Sequence, residues 1–340
     1  MRSIGFLTFC SAAMLVIGCE EPTQPGTETS VAADLKKAPS VSITDLGTLP
    51  GGTYSGALGI NAKGDIVGLA GTAAGEEHAV LWRDGTLTDL GTLGGTFSQA
   101  YAVNAAGRVV GLATTRLGEE RGFVWENGRM TNLGVPPGAT RSVAVGINAA
   151  GVIVAFTDAG FATWKKGTWT VLPFPAGSTG CGGGAIDNAG QVVGFCSMAT
   201  GQTRSFIYRR GVPTDLGSAG NGTFVATAIS PSGIVVGGFS TDNGARPFLW
   251  KQGTITELTT RGADPTFSPT SVNPAGAIAG NILRNSNTLA ALWRQGKMID
   301  LGTLPGGTSS QAYGINASGQ IVGSSLNASG EFRAVLWALR

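Results

Sequence analysis

Histidine is almost missing from this 340-residue chain, in which His78 is the sole example. A histidine-based metal cluster is thereby excluded, and a Ser-His-Asp arrangement would have to be built on that one residue. Charge is scarce as well. Asp, Glu, Lys and Arg make up 13% of the residues with a net charge of +2, so no basic field exists to hold phosphates and nucleic acid is not expected as a partner. The glycine-rich stretch Gly177 to Gly184 lacks the Lys-Ser/Thr ending and following helix of a phosphate loop, and reads as a plain loop. No metal or cofactor is expected, and no catalytic residue is assigned.

One apolar run, Ile4 to Ile17 behind Arg2, is too short to span a bilayer comfortably but suits the core of an export signal. It ends Leu15-Val16-Ile17-Gly18-Cys19, which resembles a bacterial lipobox, where a lipid is attached to the cysteine and cleavage occurs just before it. That resemblance implies a signal peptide over 1–18, Cys19 as the lipidated first residue, and a membrane as a partner through that lipid. Glu20 stands where an Asp retains many lipoproteins in the inner membrane, so the outer membrane of the cell envelope is favoured. Residues 20–40, rich in Glu, Thr and Pro, bury too little apolar surface to order themselves and read as a tether.

Glycine, by contrast, is abundant at 55 residues, and it recurs at spaced positions between apolar runs. Over 41–340 the chain repeats itself about every 43 residues in four columns. The first is Ile60-Asn61, Val103-Asn104, Ile147-Asn148, Ile186-Asp187, Ile229-Ser230, Val272-Asn273 and Ile315-Asn316, each with a glycine three residues after the polar member. Such a segment reads as a tight hairpin. An Ile-Val type pair follows each turn. The third column is aromatic, at Trp82, Trp125, Trp164, Tyr208, Trp250, Trp293 and Trp337, with glycine three residues after each of the first six. The fourth is the Asp-Leu type element at Asp45, Asp89, Asn132, Val171, Asp215, Glu257 and Asp300.

Four strands per repeat are named a, b, c and d: the run into the Asn turn, the Ile-Val strand, the strand ending in the aromatic, and the strand ending in Asp-Leu. The chain begins with d and ends with c. A ring in which 42–46 pairs as the outer strand of the last unit uses both ends, so the expected fold is all-β: a seven-bladed β-propeller of four-stranded antiparallel blades, closed by the N-terminal strand. Small residues at Ala57, Ala100, Ala144, Gly183, Ala226, Pro269 and Ala312 place strand a innermost, with Pro269 suggesting irregularity in the sixth repeat.

These residues resemble the HAF-repeat family of extracellular bacterial proteins, named for a His-Ala-Phe stretch. His78-Ala79-Val80 and the strands holding Phe123, Phe206 and Phe248 match it loosely. The resemblance covers roughly 41–340 and implies export, with no assigned activity.

On such a scaffold the b–c and d–a connections, including 47–56 and 70–77, share the variable face where binding usually sits. A basic residue stands four places before the aromatic at His78, Arg121, Arg204, Arg246 and Arg333. Eleven residues after the first four come Asp89, Asn132, Asp215 and Glu257, and Arg333 meets Asp45 if the ring closes. Five cations around an axis could hold an anion, but loss of the acid at Val171 together with the cation at Gly160 favours pairs that staple each blade. Leu289 with Asp300 breaks the pattern.

Glu76-Glu77 and Glu119-Glu120 are carboxylate pairs on neighbouring b–c loops. They could contact a ligand, supply acid and base to a glycosidic bond, or be plain solvated charges. Cys181 and Cys196 flank the hairpin around Asn188-Ala189. They face each other if that loop has two residues and point apart if Gly190 makes a bulge. The reading that joins these observations is an exported lipoprotein whose non-catalytic propeller binds a glycan, peptide or protein, or acts as a scaffold. The alternative is an envelope polysaccharide-active enzyme using acidic loop residues.

Overall fold

The structure, a computed structural model, describes residues 40–219, 222–242, 244–258 and 266–339. The lipobox resemblance, Cys19 and almost all of the tether lie outside these residues. Within them the chain forms 28 β-strands and no helix. Strand a is Ser55–Ile60, Gly94–Val103, Ser142–Ile147, Ser178–Ile186, Phe224–Ile229, Ser268–Val272 and Ser310–Ile315 in the successive repeats. Each begins an antiparallel a-b-c-d order. Five sheets have four strands, and the strands of repeats 1 and 2 are joined into one larger sheet by a single parallel pairing of Glu77 with Phe97. The first strand, Val41–Asp45, is the d strand of the last sheet. It pairs antiparallel with Phe332–Leu339, from Val41 opposite Leu339 to Asp45 opposite Val335.

Local chemistry explains the hairpins. At the six c–d turns Asp84-Gly85, Asn127-Gly128, Lys166-Gly167, Arg210-Gly211, Gln252-Gly253 and Gln295-Gly296, both residues have positive φ, the conformation whose twist matches the flanking strands. The a–b turns are longer. The Asn61 amide N–H donates to the Asp65 carbonyl, and Gly64 takes φ 90° between them, which moves the register by one residue. A second shift in strand a, between Ala57 and Gly59, moves it back. Every repeat carries this compensating bulge, and Pro269 occupies it as its alanine counterparts do. A missing N–H is tolerated at a bulge, so proline here adds no further irregularity.

Opposite the bulge the b strand carries glycine in six repeats and Ala155 in the third. A Cβ on Gly68, Gly111 or Gly237 would lie 1.9 Å from the carbonyl oxygen of Gly56, Gln99 or Val225.

Apolar side chains pack between neighbouring repeats. Leu81, Leu90, Val103, Val109 and Phe123 form one such cluster across repeats 1 and 2. Leu49, Ile66 and Trp82 form another with Val322 and Ala334 of repeat 7. Each a strand touches the a strand of the next repeat, and Ser310–Ile315 returns to Ser55–Ile60.

Polar side chains tie the same junctions. The Asn61 amide donates to the carbonyl of Asn104, Asn104 to Asn148, and Asn148 to Asp187, over 2.9 to 3.2 Å. Asn273 donates to Asn316, and Asn316 back to Asn61 at 3.1 Å. Asp187 and Ser230 have no amide and interrupt this belt. A second link is made by Ser55, Ser98, Ser142 and Ser310 at the start of strand a. Each hydroxyl donates to a d–a loop carbonyl and accepts a backbone N–H from strand c of the preceding repeat.

Removing the Asn316 side chain takes one of two hydrogen bonds from the buried Asn61 carbonyl and leaves the Gln320 N–H and the Ser318 hydroxyl without their acceptor, so Asn316→Ala should lower the unfolding free energy by about 1–3 kcal/mol in urea titrations. Asp187→Asn supplies a missing donor and should raise it by about 1 kcal/mol.

Candidate functional site

The d–a and b–c connections of one repeat meet. A Cβ on Gly52 would lie 1.9 Å from the Gly71 carbonyl oxygen, and one on Gly307 the same distance from that of Leu326. In repeat 1 they enclose a cleft of about 310 Å³ lined by Gly51, Thr53, Tyr54, Gly71, Thr72, Ala73 and Gly75. Tyr54 lies flat against Gly71, where a Cβ would come 2.6 Å from its ring.

Behind the cleft runs a directed chain of hydrogen bonds. The Tyr54 hydroxyl donates to Glu77 Oε2 at 3.1 Å, and Gln99 Nε2 donates to Glu77 Oε1 at 2.6 Å. Tyr101 donates to Gln99 Oε1 at 2.7 Å. Burial pushes the Glu77 carboxyl above its ordinary value, and the bonds from Gln99 and Tyr54 oppose the shift without cancelling it. Burial first, and then the Glu77 charge, push the Tyr54 hydroxyl up in turn.

The other loop carboxylates have basic partners. Glu76 lies 3.4 Å from His78, Glu119 2.9 Å from Arg121, and Glu120 3.3 Å from Arg141. Glu77 thus differs from the three beside which sequence grouped it. Among the described residues no three His, Cys, Asp or Glu side chains cluster to hold a metal ion.

Four of the blade pairs lie close. His78 is 2.9 Å from Asp89, Arg204 2.8 Å from Asp215, Arg246 3.8 Å from Glu257, and Arg333 3.4 Å from Asp45. Arg121 and Asn132 form no such pair, which corrects the expectation for repeat 2. A neutral amide offers no Coulomb attraction, and Arg121 turns to Glu119 and to the carbonyl of Thr140 at 2.8 Å. Where Leu289 stands in the basic column, Arg284 serves Asp300 at 3.0 Å. Where Gly160 stands there, the Phe174 ring fills the space a Cβ would take.

Pairing is the smaller part of what the acidic column does. Asp45, Asp89, Asn132, Asp215 and Asp300 each accept the backbone N–H two residues on, from Gly47, Gly91, Gly134, Gly217 and Gly302, at 2.7 to 2.9 Å. Half-exposed ion pairs contribute about 0–1 kcal/mol, whereas these side chains also set the path of every d–a loop they enter. The serine links and the Glu77 chain went unrecognised in the sequence. The serines were visible there, two residues before Ala57, Ala100, Ala144 and Ala312.

Cys181 and Cys196 are joined by a disulfide between strands a and b of repeat 4. Gly190 does bulge, with φ 80°, and the second shift between Gly182 and Ala185 restores the facing that the first removes.

No protein-family model and no curated protein matches the chain. Solved structures do. The β-propeller domain of the Trilobed protease from Pyrococcus furiosus, described as having an open velcro topology, is 10% identical with a TM-score of 0.56, over 84% of this chain and 95% of that one. The acylaminoacyl peptidase of Pyrococcus horikoshii is 11% identical with a TM-score of 0.57, over 85% of this chain and 52% of that one. The chain therefore spans about half the length of that peptidase. At these identities the likeness concerns the fold alone: the described strands have a β-propeller architecture.

Because the folded Glu77 carboxyl holds its proton more tightly than the unfolded one, it opposes folding above the ordinary glutamate value of 4.5. Wild-type protein should therefore lose stability relative to Glu77→Gln as the pH rises from about 4 to about 7, read from urea midpoints. Replacing both Cys181 and Cys196 by serine reopens a loop of sequence separation 15. It should lower the unfolding free energy by about 2–4 kcal/mol in the same assay.

Proposed function

We propose that this protein is an exported lipoprotein, anchored through Cys19 in the cell envelope, whose 41–340 region is a closed seven-bladed propeller. In this reading it binds or scaffolds without catalysis, and the HAF-repeat proteins are its kin. Closure is supported by the pairing of Val41–Asp45 with Phe332–Leu339 and by the belt bond from Asn316 to Asn61. Export and anchoring are supported by the Leu15 to Cys19 motif.

The observation that carries the non-catalytic reading is the state of the loop carboxylates. A glycosidase needs one carboxyl free to give a proton and a second free to act as base or nucleophile. Glu76, Glu119 and Glu120 are each held by a basic side chain, and Glu77 is held by Tyr54 and Gln99. These groups shape loops. A rigid scaffold carrying unlike loops on one face suits recognition of a glycan, peptide or protein.

The mature protein incubated with envelope polysaccharides should release no reducing ends. Release that disappears in Glu76→Gln and Glu119→Gln would establish the enzyme instead. Binding is read by a glycan array and by pull-down from envelope extract. Blank results in both would overturn the binding reading. Cys19→Ala should move the protein from the membrane fraction to the soluble one.

A further inference from the structure

The chain contains its own control for the cleft beside Tyr54. Residues 45–53 and 300–308 are identical, Asp-Leu-Gly-Thr-Leu-Pro-Gly-Gly-Thr, so repeats 1 and 7 receive the same d–a loop. Both loops approach the b–c connection equally closely, through Gly52 and Gly307. What differs is the pair that follows. Tyr54 faces Gly71 in repeat 1, with the Gly71 N–H donating to the Tyr54 carbonyl. Ser309 faces Leu326 in repeat 7 through the same backbone bond. The large and small members have changed places in the sequence, tyrosine with glycine in repeat 1 and serine with leucine in repeat 7, and glycine at 71 leaves room for the tyrosine ring.

Space filling alone would account for that exchange, but it would not call for the group behind the ring. Glu77 is a largely buried carboxylate, costly to desolvate, and in repeat 7 its place at the start of strand c is taken by Phe332. Its two oxygens hold the Tyr54 hydroxyl and the Gln99 amide, and Tyr101 holds Gln99. A chain of three side chains thus orients one aromatic ring, and that ring forms a wall of an open cleft. Polar groups spent on fixing a ring in a recess are the mark of a prepared binding surface.

The lining states what kind of ligand fits. It holds one aromatic ring, two threonine hydroxyls and four residues no larger than alanine, with no charged side chain. An ionic group would enter without a counter-charge, and a purely aliphatic one would leave unused the Thr53 hydroxyl and the proton of the Thr72 hydroxyl, whose oxygen accepts the Glu76 N–H at 3.1 Å. A sugar ring has both an apolar C–H face and a hydroxyl edge, and a cleft of about 310 Å³ lies at the small end of ligand pockets. We infer that the repeat 1 cleft is a subsite for one neutral saccharide residue, with the sugar against Tyr54 and its hydroxyls toward Thr53 and Thr72. This rests on the binding reading above and names its ligand class. Glu77, Gln99 and Tyr101 act through Tyr54 as positioning residues.

The test uses the full mature protein and a variant borrowed from its own repeat 7, Tyr54→Ser with Gly71→Leu, the pair that already follows the same loop sequence there. Both proteins are titrated calorimetrically with neutral oligosaccharides, namely maltohexaose, cellohexaose and chitohexaose, and their thermal unfolding is compared. The expected result is binding of at least one oligosaccharide by wild type and a loss of at least about tenfold in the folded variant. Equal binding by the two would overturn the placement. No binding of any of the three at millimolar concentration would overturn the ligand class. The envelope pull-down remains a separate measure of the broader binding reading, so the two can fail independently.

Discussion

A buried asparagine at the a–b turn carries two duties in one side chain. Its oxygen caps the turn by accepting N–H groups, as Asn61 does from Lys63 and Asp65, and its amide reaches the backbone of the following repeat. Each repeat exposes an apolar face that it cannot cover alone, and its neighbour covers it. The amide fixes the angle at which that neighbour sits, because a backbone carbonyl buried there has no water to turn to. From Asn316 the same bond reaches Asn61 across 255 residues of sequence.

The interruptions are informative. Asp187 keeps the turn-capping half of the role, accepting the Gln191 N–H, but has no N–H to give. Ser230 likewise caps Ile234 and reaches no further. Repeats 4 and 5 draw on other means in this region. Cys181 lies two residues before the bulge, at the position of the linking serines, and is bonded to Cys196. At the next junction Phe224 replaces the serine, and Ser205 on the preceding c strand supplies the hydroxyl from the other side. One junction later Pro247 stands on the c strand with no N–H to satisfy, and Phe267 takes the serine position. At that junction proline leaves no c-strand donor for the phenylalanine to bury.

Local pairing also shapes the face formed by the b–c and d–a loops. Glu119 and Glu120 pair with Arg121 and Arg141, and the d–a loops are set by Asp or Asn capping a glycine N–H. Beside them lies a neutral recess with an oriented ring, the feature on which the proposed recognition rests. Its properties come from a departure from the repeat: Gly71 where repeat 7 has Leu326, and Glu77 where it has Phe332.

Periodicity in the sequence was enough to place the strands, the turn residues and the four-strand order, because each hairpin is decided within a dozen residues by glycine, asparagine and alternating apolar side chains. It also showed which acids and bases stood eleven residues apart. It could not decide which of them would meet, since Arg121 chose between Asn132 and Glu119 according to charge and reach in space. Nor could it decide whether Cys181 faces Cys196, because two bulges of opposite effect must both be known. The burial of Glu77, its hold on Tyr54 and the cleft they frame arise where side chains from two repeats converge. Such convergence depends on the angle between repeats, and only the assembled tertiary structure sets that angle.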